Sequence, residues 1–168
     1  MNLEIFILSV DGVHCRVNEP RGQPSTGWFS HKSNGPGLVY ELAIALNESK
    51  LVWMKGPFKP GENSDLQIFR KEDGLKAMIP VGKKAIGDRG YRGEQGKVSI
   101  RNPHDSAEVK AFKKRARARH ETFNGRIKNF KVLEERFRHG VDKHQSVFEA
   151  VCVILQYEME NGHPLFDI

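Results

Sequence analysis

The pattern of hydrophobic and polar residues changes about two thirds of the way along the chain. In the first part, apolar residues occur in short runs or alternate with polar ones, which is typical of strands. The run from Leu3 to Val10 is almost continuous and closes at Asp11-Gly12, so it predicts a strand buried on both faces. Alternation over 40–46 and a short apolar run over 51–54 predict two further strands joined as a hairpin.

Segments of loop composition separate the strands of this first part. Residues 18–37 and 57–64 are rich in Gly, Pro and Ser or bear Gly and Pro, which predicts loops. A short helix is predicted over 65–76, and short fourth and fifth strands over 84–87 and 98–100.

The last third of the chain has helical periodicity. Asp105, with Glu108 three residues later, is a typical helix start, and apolar residues then recur at helical spacing as far as Phe130. A last helix is predicted over 146–159, with Gly162 just beyond its end. Strands mixed with helices in this order predict an α/β layered fold. The length of 168 residues suits a single domain spanning 1–168.

Composition narrows the class of protein. The chain carries 27 Lys and Arg against 21 Asp and Glu, and this net charge of +6 favours a polyanionic partner. Cys15 and Cys152 cannot form a disulfide framework, and no Cys/His spacing matches a zinc site. The sequence has no apolar run long enough for a membrane span and no signal-peptide pattern. We therefore expect a soluble intracellular protein.

Three acidic residues are candidates for chemistry because of where they fall. Asp11 is predicted to end the first strand, Asp88 to end the fourth, and Glu121 to lie in the middle of the long helix. Carboxylates brought together repel each other unless a cation lies between them, and hard oxygen ligands suit Mg²⁺ or Mn²⁺. Two such ions can activate a water and stabilise the leaving oxygen of a phosphodiester. The predicted chemistry is phosphoryl transfer on nucleic acid.

Basic residues surround the helical glutamate. Arg117, Asn124 and Lys128 lie on one stripe with Glu121 at helical spacing, and repeated Lys and Arg on an exposed helix face commonly neutralise phosphates. Taken singly, each feature is more often structural: Asp-Gly is usually a turn, and a Glu among Arg residues is usually a surface ion pair. The predicted DNA-binding residues are Lys113, Lys114, Arg115, Arg117, Arg119, Asn124 and Lys128.

Several segments, in order, resemble one known family. Asp11-Gly12-Val13-His14 is similar to the Asp-Gly-x-His that opens the catalytic domain of PIF/Harbinger transposases, which are DDE-type transposases. Arg117-x3-Glu121-x6-Lys128 is similar to a signature of related bacterial insertion-sequence transposases, except that Lys114 stands where that signature has Tyr. The resemblance continues through Tyr-Glu-Leu at 40–42, Gly-Pro-Phe-Lys-Pro-Gly at 56–61, Gly-Asp-Arg-Gly-Tyr at 87–91 and Pro-Leu-Phe-Asp at 164–167.

The resemblance implies a fold, an activity and a site. The fold would be a ribonuclease-H-like mixed β-sheet flanked by helices. The activity would be metal-dependent hydrolysis at transposon ends, followed by transfer of the 3′-hydroxyl into target DNA. Asp11, Asp88 and Glu121 would be the catalytic acids and the ligands of Mg²⁺ or Mn²⁺. In a eukaryote, such a protein would work in the nucleus.

The second acid has two candidates. Asp65 also matches a position that some alignments of such transposases treat as the second acid. We favour Asp88 because it closes a predicted strand and is therefore held rigidly, whereas Asp65 begins a predicted helix that it could simply cap. His14 and His120 are interpreted as packed or surface histidines and left out of the set of metal ligands.

Other functions stay open at this point. Met1 precedes Asp11 by only ten residues, so we expect the N-terminal DNA-binding helices of such transposases to be missing. One alternative is a truncated or host-adopted, catalytically inactive copy that binds DNA or protein; another is a stand-alone nuclease that cuts without joining. The sequence leaves open whether the protein forms a homo-oligomer and whether a separate DNA-binding protein assists it.

Overall fold

Six strands form one mixed sheet in the computed structural model, which describes residues 3–168. The first two residues of the predicted domain 1–168 lie outside the described part. The strands are β1 (Phe6–Arg16), β2 (Phe29–Ser30), β3 (Gly35–Ala45), β4 (Leu51–Phe58), β5 (Lys84–Ile86) and β6 (Val98–Ser99).

The strand order gives the sheet its topology. Strand β1 is central: β3 pairs with it antiparallel on one side, and β5 pairs with it parallel on the other. Beyond these, β4 is antiparallel to β3 and β6 is parallel to β5, while β2 pairs with the start of β3. This confirms the predicted fold class, a ribonuclease-H-like mixed sheet, and the predicted hairpin of β3 and β4.

Helices cover both faces of the sheet. They are α1 (Asp65–Phe69), α2 (Leu75–Met78), α3 (Ala107–Lys128), α4 (Lys131–Glu134) and α5 (His144–Glu160), with 3₁₀ turns at Leu3–Ile5, Ser25–Trp28, Arg89–Tyr91 and Val141–Lys143. Across residues 3–168, no helix is long and apolar enough to cross a membrane.

Two main apolar clusters hold these layers together. On one face, Leu42 of β3 packs with Phe123 of α3 and Phe148 of α5. On the other face, Val10 of β1 packs with Phe69 of α1, among other residues. Each such buried side chain contributes about 1.5–3 kcal/mol. Strand β1 is thereby fixed between two packed layers, so its side chains are held rigidly.

Strands β1, β3 and β4 extend further than the sequence predicts, whereas β5 and β6 are each one residue shorter than the predicted 84–87 and 98–100. Strand β1 starts after a 3₁₀ turn and runs on to Arg16, because pairing with β3 continues from Leu8 to Arg16. Asp11 therefore lies in the middle of β1, not at its end, and Asp11-Gly12 is not a turn. The predicted loop over 18–37 contains β2 and the start of β3, and β4 extends into the predicted loop over 57–64. Hydrogen bonds from neighbouring strands override local loop composition here.

The helices also differ from the prediction. The helix expected over 65–76 is two short helices with a break before Leu75. Gly74 lies at this break, where a Cβ would come within 3 Å of the carbonyl oxygens of Ile68, Phe69 and Lys71. Helix α3 is capped by the Ser106 hydroxyl, which accepts from the Val109 N–H at 3.3 Å, so Asp105 is not its cap. Helix α4 was not predicted.

Candidate active site

The Asp11 carboxylate is oriented by two hydrogen bonds. Its Oδ1 accepts from the Gly12 N–H at 2.8 Å, and its Oδ2 accepts from the Asn124 side-chain amide at 3.0 Å. Asn124 lies on α3, so one helix residue fixes the acid of the central strand. The sequence placed Asn124 among the DNA-binding residues, whereas in the structure its amide is engaged by Asp11.

The three acids singled out by sequence meet at one cavity. Asp11 from β1, Asp88 from the segment after β5 and Glu121 from α3 all line a cavity of about 130 Å³. The helical glutamate is thus on the same side as the two aspartates. Lys32, from the turn before β3, lines the same cavity.

The electrostatics of Asp11 reflect this crowding. The pKa of Asp11 is raised to about 6, mainly by burial. Lys32 and the Gly12 N–H act to lower this pKa, and the nearby Asp88 and Asp65 carboxylates act to raise it. Like charges that lie close together are stabilised by a cation between them. The cavity is therefore suited to bind positive charge.

Asp88 has a local structural role as well as its place at the cavity. Its Oδ1 accepts from the Gly90 N–H at 2.7 Å, which caps the 3₁₀ turn Arg89–Tyr91. This contact points the carboxylate in a fixed direction. Asp88 is a cap, the role that the sequence suggested for Asp65.

Asp65 does not cap its helix. Ser64 and Gln67 form a reciprocal capping box at the start of α1, which leaves the Asp65 carboxylate available. That carboxylate lies against two glycines: its Oδ1 is 2.6 Å from where a Gly12 Cβ would be, and its Oδ2 is 2.8 Å from where a Gly90 Cβ would be. A side chain at either glycine would displace it. Both predictions that favoured Asp88 over Asp65 are wrong: Asp88 lies two residues beyond the end of β5, and Asp88 rather than Asp65 is the cap.

The donor set suits a divalent cation in its chemistry. The candidate ligands are all carboxylates, which are the hard oxygen donors that Mg²⁺ and Mn²⁺ prefer. Within residues 3–168, no group of three His, Cys, Asp or Glu side chains is positioned to hold a metal ion together. Mg²⁺ usually keeps several waters and is bound through one or two carboxylates plus substrate phosphates, so the residues fit such an ion.

A basic groove adjoins the acidic cavity. Arg101, Lys110, Lys114 and Arg117 line a groove of about 780 Å³ along the start of α3. Arg117 and Glu121 line both the groove and the acidic cavity, so the two are neighbours. A polyanion bound in the groove would reach the carboxylates.

Two predicted DNA-binding residues are buried and do not lie on the exposed helix face that the sequence suggested. Lys113 is 6% exposed and donates to the Asp105 carboxylate at 2.7 Å and to the Ile100 carbonyl at 3.0 Å. Arg119 is 2% exposed and donates to three backbone carbonyl oxygens, those of Ala45, Glu48 and Phe166. Their charges are satisfied inside the protein.

Two further members of the basic set have contacts within the protein. Lys128 donates to the carbonyl oxygens of His14 and Leu133, which ties the end of α3 to β1. Arg115 donates to the Asp167 carbonyl near the chain end. Of the seven predicted residues, Lys113, Lys114 and Arg117 line the groove, and the ammonium of Lys113 is already paired with Asp105.

Three residues near the site, Glu41, Lys32 and His120, were not among the predicted site residues. Glu41 is 1% exposed and pairs in register with Gly12. The pKa of Glu41 is raised to about 7, mainly by burial. The Trp53 indole N–H donates to its carboxylate at 3.1 Å, which acts to lower that pKa. The sequence feature that could have identified Glu41 is its charge within an otherwise apolar predicted strand. Lys32 lies in a polar loop, where no sequence pattern distinguishes it from its neighbours.

His120 is the third. It lines the acidic cavity, its Nδ1 lies 2.8 Å from the Ser9 hydroxyl, and burial lowers its pKa to about 3. Its Nε2 has no hydrogen-bond partner within the described residues. His14 is also packed, with its Nδ1 2.7 Å from the Ser30 hydroxyl.

The sheet order and the placement of the acids together define a ribonuclease-H-like α/β domain. The family model described as DDE superfamily endonuclease matches residues 10–156, which include Asp11, Asp65, Asp88 and Glu121. The chain belongs to this family. Comparison with curated proteins and with solved structures gives no significant match.

Proposed function

We propose that this chain is the catalytic domain of a DDE transposase of the PIF/Harbinger type, which hydrolyses DNA phosphodiester bonds and joins the resulting 3′-hydroxyl to target DNA. The observation that carries the proposal is the common cavity of Asp11, Asp88 and Glu121 beside a basic groove. Membership of the DDE superfamily endonuclease family supports it.

The contacts of the residues support the roles that we propose for them. Asp11, Asp88 and Glu121 would hold divalent ions, Mg²⁺ or Mn²⁺, which when bound activate the attacking oxygen and stabilise the leaving one. Asn124 and the Gly12 N–H keep the Asp11 carboxylate in one orientation. Arg117 lies where groove and cavity adjoin, so its guanidinium would hold the phosphate next to the acids.

The groove supplies the DNA-binding surface of the proposal. Arg101, Lys110, Lys114 and Arg117 contribute four positive charges along it. Phosphate contacts of this kind give affinity that does not depend on sequence and that falls with salt concentration. The set retains Lys114 and Arg117 from the sequence analysis, adds Arg101 and Lys110, and omits the buried Lys113 and Arg119.

We expect Arg117→Ala and Arg119→Ala, two residues apart on one helix, to separate DNA binding from stability. Arg117→Ala should weaken duplex binding about three- to tenfold and reduce the salt dependence by about one phosphate contact, with little loss of stability. Arg119→Ala should destabilise the fold by about 2–3 kcal/mol, because it leaves the buried Ala45 carbonyl and the part-buried carbonyls of Glu48 and Phe166 without their donor. Fluorescence anisotropy and thermal unfolding measure the two effects. Equal loss of DNA affinity in a folded Arg119 variant would contradict the assignment.

An inactive, transposase-derived DNA-binding domain is the second candidate. The observation that favours it is that the carboxylates of residues 3–168 are not arranged in a ready-made group of three around one point. This candidate uses the same basic groove and predicts DNA binding without cleavage.

A cleavage assay distinguishes the two candidates. Supercoiled plasmid is incubated with the protein in Mg²⁺, in Mn²⁺ and in a chelator, and nicked products are measured. The proposed function predicts cleavage that requires the metal and is lost in Glu121→Gln. The matched control is Glu108→Gln in the first turn of α3, which should cleave normally because it lies away from the cavity. DNA binding without cleavage under all conditions would support the second candidate instead.

A further inference from the structure

Lys32 occupies an unusual position at the acidic cavity. It lies in the turn over residues 31–34, between β2 and β3, and its Nζ is 3.3 Å from Asp65 Oδ2. The same side chain lines the cavity with Asp11, Asp88 and Glu121. A loop far from the acids in sequence thus brings a positive charge among them.

The ammonium group interacts with several carboxylates at once. Burial opposes its charge, but Asp65, Asp11 and Asp88 together raise the pKa of Lys32. In return, Lys32 acts to lower the pKa of Asp11. The charge of the lysine therefore already serves the purpose that a bound cation would serve.

We propose that Lys32 is a resident counter-ion of the acidic cluster, which neutralises the carboxylates in the metal-free protein and competes with a divalent cation for them. This inference rests on the proposed function, since it takes the same carboxylates as the metal site. The inference adds a regulatory step, because the Lys32 ammonium must move away from the carboxylates before they can all bind the cation.

The geometry allows the lysine to leave at low cost. Its side chain is 47% exposed, and its contact with Asp65 is the one hydrogen bond that its ammonium makes to the described residues. A partly exposed ion pair of this kind is weak, and the four-carbon stem of lysine is flexible. Water can solvate the released ammonium, and a DNA phosphate bound in the adjoining groove can pair with it.

The test measures Mn²⁺ binding to the whole chain by isothermal titration calorimetry, without DNA. Lys32→Met should bind Mn²⁺ about three- to fivefold more tightly than the unsubstituted protein, because a competing charge is removed. Lys32→Arg keeps the charge and should bind about as weakly as the unsubstituted protein. The control Lys131→Met removes an exposed lysine that pairs with Glu134 and should change nothing. Unchanged or weaker binding by Lys32→Met would overturn the proposal.

An Asp11→Asn variant separates failure of this inference from failure of the proposed function. If Asp11→Asn binds Mn²⁺ as well as the unsubstituted protein, the acids do not form the metal site and the proposed function fails with the inference. If Asp11→Asn loses Mn²⁺ but Lys32→Met binds as before, only the role of Lys32 is rejected.

A measurement without metal gives a second readout. In chelator, Lys32→Met should lower the melting temperature by about 1–3 °C, and this loss should shrink when Asp65→Asn is also present, because the two charges stabilise each other. Saturating Mn²⁺ should remove the difference as well. Strictly additive effects of the two substitutions would count against a counter-ion role.

Discussion

Replacing Asp11 with Asn is expected to abolish metal-dependent DNA cleavage while making the metal-free protein more stable at pH 8. The rate of cleavage should fall at least about a thousandfold, since a metal ligand supplies several kcal/mol of transition-state stabilisation. The gain in stability should be about 1–3 kcal/mol, because one pKa unit corresponds to about 1.4 kcal/mol and burial raises the pKa of Asp11 to about 6.

The local structure accommodates the new amide without strain. Asn keeps the shape of Asp, and its oxygen can still accept from the Gly12 N–H. The Asn124 amide can turn over, and its Oδ1, which lacks a hydrogen-bond partner within residues 3–168, can then accept from the new NH₂ group. The substitution therefore removes a partly buried charge and leaves the hydrogen bonds intact.

The increase in stability caused by Asp11→Asn depends on pH in a definite direction. The pKa of Asp11 is raised from 3.8 to about 6 in the folded protein, so between these values the folded state binds a proton that the unfolded state has lost. The unsubstituted protein therefore loses stability as pH rises through about 6, and the Asn variant does not. Chemical denaturation in chelator at pH 5 and pH 8 measures this. Lower stability of the variant at pH 8, or retained cleavage, would contradict our interpretation of Asp11.

A second large effect is expected to distinguish Asp88 from Asp65. Asp88→Asn should reduce cleavage about a thousandfold, whereas Asp65→Asn should reduce it about tenfold or less. Asp88 lines the cavity with Asp11 and Glu121, while Asp65 lies against Gly12 and Gly90 and contacts Lys32. Asn retains the capping contact to the Gly90 N–H, so Asp88→Asn should stay folded.

Rates under single-turnover conditions with Mn²⁺ measure both variants, with melting curves as the control for folding. The opposite order of effects would make Asp65 the second catalytic acid. Equal, large losses in both would mean that the two carboxylates act as one unit.

The α/β class of the fold and the convergence of three acidic residues on one cavity could be predicted because both depend on local patterns, whereas the roles of these acids stay a prediction. The apolar run of β1 and the helical spacing of α3 fixed the type of these elements, and three acids fell on elements that a mixed sheet brings together. Strand ends could not be predicted, since the extent of β1 depends on pairing with β3. That is why Asp11 was expected at the end of a strand and lies in its middle.

The basic residues of α3 show a second limit of prediction from the sequence. Arg117 and Arg119 are indistinguishable by type and near each other in sequence, yet Arg117 lines the groove and Arg119 is buried. Arg119 is buried because carbonyl oxygens accept its hydrogen bonds there; they come from the end of β3, from the turn after it and from Phe166 near the end of the sequence. Such acceptors come from distant segments, so helical spacing alone cannot identify them.

Lys32 illustrates the same point at the acidic cavity. It stands in a polar loop with no periodic pattern, and only the pairing of β2 with β3 places its turn beside Asp65. Charge compensation between distant segments is a tertiary property.

Our central proposal is that Asp11, Asp88 and Glu121 contribute ligands to one metal centre, and iron-directed cleavage of the protein backbone tests it most directly. Fe²⁺ replaces Mg²⁺, and ascorbate with hydrogen peroxide then generates radicals that cut the chain next to the bound ion, whether or not the enzyme is active. We predict cuts clustered around residues 11, 88 and 121 that excess Mg²⁺ suppresses. Cuts confined to other segments, or cuts at these three that Mg²⁺ leaves unchanged, would contradict the account.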